Sequence, residues 1–168
     1  YVPQSISAIA VNEFCESDSV GLVARWPMDV CSLDGSSGEI EDIVAGINGQ
    51  SVSGAEIDTD GQYCQAGEFA GSGQHLNIPH NNKFEVADGS ISFWFKADDL
   101  SHQASVAHGG MGLFSKDSTG TDNGGDHLTI WLENNGGLFV RHQDTSNSYT
   151  VTTASSLVTE NQWHHLVY

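Results

Sequence analysis

The sequence predicts an all-β fold, an antiparallel sandwich of the jelly-roll kind. Three observations carry this. In "SISFWFKADD" (90–99), Ile91, Phe93 and Phe95 alternate with Ser92, Trp94 and Lys96, the period of two of a strand buried on at least one face. The 19 Gly against 3 Pro favour many tight turns, as all-β folds need. Eight or so short runs of this kind recur at regular spacing, with no long amphipathic helix and no internal repeat.

The elements follow in order. Residues 1–20, from "YVPQSISAIAVNEF" through Cys15 and "ESDS", read as a linker or edge-strand arm, and 21–168 as the sandwich. "LVARWPM" (22–28) is predicted as a strand, placed at an edge or bulge by Pro27. "DGSSGE" (34–39) is a turn-rich loop. "IEDIVAGINGQSV" (40–52) has helix-like apolar spacing, but Gly46 and Asn48-Gly49 cut it to a loop with a turn. Residues 58–79 hold short strands at most, and 89–97 is the strongest strand. Residues 111–116 give another. "HLTIWLENNGGLFVRHQ" (127–143) is a hairpin, because Asn135-Gly136 supplies the positive φ values that its turn needs. Residues 148–154 and 162–168 complete the set. Trp94, on the second face of its strand, reads as a tryptophan capped by surrounding structure.

Length fits one domain with a real core. No segment approaches the ~20 apolar residues of a membrane span. Lys+Arg 5 against Asp+Glu 22 leaves a net charge of −17. Nucleic acid and anionic membranes are repelled by such a surface and cations attracted. Cys15, Cys31 and Cys64 form no C-x-x-C and no zinc-finger spacing. One disulfide with a thiol left over, in an oxidising compartment, is the reading of this odd count.

The run of pieces "LVARWPMD", "EDIVAGINGQ", "AGEFAGSGQHLNIPH", "GSISFWFKADD", "GLFSK", "DHLTIWLENNGGLFVRH" and "NQWHHLVY" resembles the laminin-G-like jelly roll of the concanavalin A-like lectin/glucanase superfamily, from about Leu22 to Tyr168. More narrowly, "RWPMDVCSLDGSSGEIEDIVAGINGQ" with "GQYCQAGEFAG" looks like the module of MshQ-type proteins, encoded with the bacterial mannose-sensitive haemagglutinin type IV pilus. That resemblance implies a Cys31–Cys64 disulfide. Where the wider family often has D-x-S-G-N-G, this chain matches Asp42, Gly46, Asn48 and Gly49 but carries Val44 or Ala45 at the serine. The family continues past "WHHLVY" with further strands, so the module is expected to be incomplete at its C-terminal side.

Candidate sites divide by chemistry. Related glucanases place E-x-D-x-x-E on one strand. Here Glu56-Ile57-Asp58 matches, but position 61 is Gly, so no catalytic set is assigned. There is no G-x-S-x-G nucleophile and no H-E-x-x-H, and adjacent His164 and His165 point to opposite faces, one inward and one exposed. Calcium needs six to eight hard oxygens. Asp29, Asp42 and Asn48 are its first expected holders, and Asp117, Asp122 and Asp126 the second. Asp126 stands just before a strand, where laminin-G relatives can hold a calcium aspartate. Trp131 and Tyr149 are the candidates for ligand contact.

The expectation is a non-catalytic recognition or assembly module of a secreted or surface bacterial pilus-associated protein, adhesion-related, outside the cell or in the periplasm. The alternatives are a carbohydrate-binding module and, more weakly, a glycan-active enzyme. Expected partners are a glycan or surface protein, together with self-association through an open sheet edge, and neither nucleic acid nor membrane insertion.

Overall fold

The computed structural model describes residues 21–29, 33–71, 73–101, 110–117 and 126–168. The expected all-β antiparallel class is what forms: among the described residues there are ten strands and a single short 3-10 turn at Asn82–Phe84. The chain makes two compact units, Tyr1–Gly89 and Ser90–Tyr168.

In the first unit, β1 (Gln50–Val52) pairs with β4 (His75–Asn77), and β2 (Glu56–Asp58) with β3 (Ala66–Glu68), all antiparallel. Residues 40–49 are a loop with a turn, as expected, closed by an isolated Ile40–Gly49 bridge, but 50–52, expected as part of that loop, form β1. Gly49 is required by crowding: a Cβ there would lie 2.9 Å from the Asn77 carbonyl oxygen and closer still to Ile78. Ile40, Ile47 and Ala55 are buried. Residues 22–28, predicted as a strand, form no ladder. Pro27 has no N–H to give, and Met28 turns the chain at φ 66°. Single bonds hold the segment instead. The Arg25 carbonyl accepts from Ile43 N–H at 3.0 Å, and Trp26 Nε1 donates to the Ile47 carbonyl at 2.9 Å.

In the second unit, β5 (Ser92–Lys96) pairs with β10 (Trp163–Val167). A four-stranded sheet runs in the order β6 (Gly110–Asp117), β7 (His127–Glu133), β8 (Leu138–Gln143), β9 (Ser148–Thr152). Its middle is the predicted hairpin, with Gly136 at φ 75° in the turn. The core joins Ala97, Leu132 and Val158, with Phe95, Leu100, Met111, Leu113 and Leu138 packed around them. Phe93, Phe95 and Leu166 therefore share the inner side of the β5–β10 pair.

Trp94 lies on the outer side of that pair, 39% exposed. Its indole stacks on the His165 ring at 4.8 Å and 19°, and Ser92 Oγ bonds His165 Nε2 at 2.8 Å. Beside them the Lys96 ammonium sits 5.3 Å from the Trp163 ring centroid. The expected cap over Trp94 thus includes a cross-strand neighbour of its own sheet. His165 is exposed, while His164 turns inward and accepts Thr159 N–H at 3.1 Å.

Candidate functional site

Residues directly opposite in an antiparallel pair share a face, so register alone builds the face of the four-stranded sheet that lies opposite Leu128, Ile130 and Leu132. Trp131 stands opposite Gly112 on one side and Phe139 on the other. Phe139 in turn opposes Thr152. The next row is Ser115, Thr129, Arg141 and Thr150, and the last is Asp117, His127, Gln143 and Ser148. Leu128, Ile130 and Leu132 take the opposite, core face, as alternation in the sequence implied for Trp131.

The face is aromatic at one end and polar at the other. The Trp131 and Phe139 rings lie 5.3 Å apart, inclined at 48°. Gly112 leaves Trp131's other flank low, since a Cβ there would meet nothing within 4 Å. Arg141 donates from Nε to Gln143 Oε1 at 3.1 Å, with a second bond from Nη2. At the far end, Asp117 Oδ2 and His127 Nδ1 are 2.8 Å apart, with the histidine almost wholly buried. An indole beside a lower neighbour, with guanidinium, carboxamide and hydroxyl groups two and four residues along, can stack on a flat apolar ligand face and hydrogen-bond its polar edge.

Tyr149 is not part of this surface. It opposes His142 and so lies on the core side of β9, where it is 65% exposed. The two aromatic candidates are on opposite faces of one sheet. Sequence reading missed Phe139, Arg141 and Gln143. Their signal was the odd-numbered alternation of 139–143, which follows Trp131 once the hairpin register is known.

The first acidic set has a different architecture. Asp42 is 3% exposed. Its Oδ1 accepts the N–H groups of Arg25 at 2.8 Å and Val44 at 3.0 Å. Its Oδ2 accepts those of Ala45 at 3.2 Å and Ile47 at 3.0 Å. Burial is the largest single influence on this carboxyl and opposes ionisation. The four amides together outweigh it and hold Asp42 below the usual carboxylate value. Asn48 adjoins it, its Oδ1 accepting Asp42 N–H at 3.0 Å and its amide donating to the Gly38 carbonyl. Asp29 is bonded elsewhere, to Gln65 N–H at 3.2 Å. A carboxylate has about four lone-pair sites, so Asp42 as folded is arranged for N–H donors rather than for a cation.

Glu39, unforeseen in the sequence, works the same way. Burial opposes its ionisation, but bonds from Ser51, Asp34 and Gly35 hold it below the ordinary range. Ser51 and Asp34 N–H reach it at 2.6 Å each.

In the second acidic set, Asp117 faces His127, Asp126 is exposed, and Asp122 lies outside the described residues. Among the described residues no three His, Cys, Asp or Glu side chains gather to hold a metal. Cys64 is exposed, and its expected partner Cys31 lies outside the described residues. Glu56 and Asp58 sit on β2, with Glu68 directly opposite Glu56. Among the described residues no helix is long and apolar enough to cross a membrane.

A laminin-G-like family model, described as the concanavalin A-like lectin/glucanases superfamily, matches residues 70–168. No curated protein and no solved structure matches the chain.

Proposed function

Because the chain belongs to the concanavalin A-like lectin/glucanases superfamily, we propose that it is a non-catalytic recognition or assembly module that takes its ligand on the Trp131 face. The observation that carries this reading is the Trp131–Phe139 pair, flanked by Gly112 and continued along the same face by Arg141 and Gln143. Laminin-G-like members of the superfamily commonly serve binding and adhesion, usually outside the cell. The likeness of residues 25–50 and 61–71 to MshQ-type modules supports a narrower placement, as an adhesion-related part of a bacterial pilus-associated surface or periplasmic protein.

A glycan is the ligand that the face favours over a protein surface. Adjacent tilted aromatics beside a carboxamide and a guanidinium suit a pyranose ring, whose faces are apolar and whose edge is hydroxylated. Binding to a glycan array that Trp131→Ala abolishes, with the melting temperature kept, supports this. Retained array binding in that variant moves the ligand off this face. Polysaccharide turnover by the purified chain would instead make it an enzyme.

A structural calcium ion and a Cys31–Cys64 disulfide are further parts of the proposal. To bind calcium, Asp42 and Asn48 would have to release amide partners. A melting temperature equal in EDTA and in millimolar calcium removes the ion from the reading. Peptide mapping without reductant tests the disulfide, and a Cys15-containing bridge would overturn it.

A further inference from the structure

β9 ends the four-stranded sheet, and its other edge is unpaired among the described residues. All five of its residues, Ser148-Tyr149-Thr150-Val151-Thr152, are exposed. It carries no charge, no proline and no bulge, the devices that usually blunt a free edge. Its core-facing side chains are uncovered as well: Tyr149 is 65% and Val151 59% exposed.

The register fixes which backbone groups point out. Thr153 N–H donates to the Leu138 carbonyl at 2.9 Å. In an antiparallel ladder bonded and non-bonded pairs alternate. Val151 and Tyr149 are then the residues bonded to β8, and Ser148, Thr150 and Thr152 aim their N–H and C=O groups at solvent.

We propose that a second copy of this chain pairs here, β9 to β9, about a two-fold axis through Thr150. The strand is self-complementary in that register. Thr150 meets Thr150, and Ser148 meets Thr152 on both sides of the axis, all as hydrogen-bonded pairs. Tyr149 then meets Val151 of the other copy twice, in the non-bonded pairs where side chains approach most closely. Aromatic–β-branched and Thr–Thr pairs are among the favourable cross-strand neighbours. One contact thus satisfies the outward backbone groups and covers both exposed apolar side chains, which an unrelated strand does only by coincidence. The carboxylate nearest along the chain, Asp144, lies in the β8–β9 turn and outside the paired strand. The interface is isologous and closes at two copies.

Each copy carries a net charge of −17, so pairing works against long-range repulsion. It should strengthen between about 0.1 M and about 1 M salt, as the screening length falls from ~10 to ~3 Å. Sedimentation velocity over a concentration series is the first measurement. It should show a monomer–dimer equilibrium that salt favours and that Val151→Lys abolishes. Thr150→Cys supplies the register test, because directly opposed strand positions lie within disulfide reach. Oxidation should link position 150 of two copies, and Ser146→Cys should not form the equivalent link. A protein monomeric at all concentrations and salts overturns the proposal. So does a dimer that survives Val151→Lys, or one in which Thr150→Cys cross-links no better than Ser146→Cys. A monomer that captures a synthetic Ser-Tyr-Thr-Val-Thr strand peptide at β9 also overturns the dimer, and assigns the edge to strand addition by another chain.

Discussion

Asp42 Oδ1 accepts the backbone N–H of Arg25 from 17 residues away at 2.8 Å. The same carboxylate closes its own loop through Val44, Ala45 and Ile47. One buried anion therefore ties the ladderless segment 22–28 to the turn at 42–47. Asp42→Ala would strand these amides without a partner. It should cost on the order of 3 kcal/mol, since bonds to charged groups are worth ~1.5–3 kcal/mol and orphaned donors add a penalty. Urea unfolding of the variant in EDTA checks this.

Acid should release the same clasp. Asp42 and Glu39 both titrate below their ordinary values when folded. A depressed carboxyl contributes stability that is fully present above its unfolded value and is lost as pH falls through its folded value. Stability should hold down to roughly pH 4, where unfolded carboxylates begin to protonate, and decline below that. Asp42→Asn should be less stable near neutral pH and show a shallower acid slope. A variant with the wild-type slope would locate the acid sensitivity elsewhere.

Two glycines should respond oppositely to alanine. At Gly136, φ is 75° and a Cβ would lie 2.5 Å from the Val158 carbonyl oxygen. At Gly112 a Cβ meets nothing within 4 Å. Gly136→Ala should destabilise by more than about 1 kcal/mol, whereas Gly112→Ala should be neutral or slightly stabilising. Because Gly112 adjoins Trp131, its alanine variant should nonetheless weaken ligand binding by raising the low flank of the indole. Thermal melts and a binding titration on the two variants separate these effects.

Trp94 and Leu132 should differ just as clearly. Trp94 is 39% exposed and rests on His165, whereas Leu132 is 1% exposed within the core. Leu132→Ala should cost about 2–5 kcal/mol through the cavity it leaves. Trp94→Ala should cost roughly 1 kcal/mol, the worth of a stacked pair at a partly wet site. Equal losses in chemical denaturation would mean that Trp94 is covered by more than its strand neighbour.

In the second unit the sequence by itself determined the strands, the main hairpin and the buried side. Alternation at 91–96 and 127–133 and the Asn-Gly turn are local properties of the chain, set by backbone sterics and a period of two. Tertiary structure decided what alternation leaves open. A period of two sorts a strand's side chains into two sets, but only pairing says which sets of different strands coincide. Trp131 thus joined Phe139 and Arg141, while Tyr149 fell to the other face. It also decided what Asp42 does. An aspartate among Ile, Val and Gly gives no sign of which amides it accepts, and one of them comes with the approach of residue 25, which no local pattern records. The strand expected at 22–28 failed for the same reason: its apolar spacing was right, but a ladder needs a neighbour with matching free edges. Pro27, the turn at Met28 and the Asp42 carboxylate directed those backbone groups elsewhere.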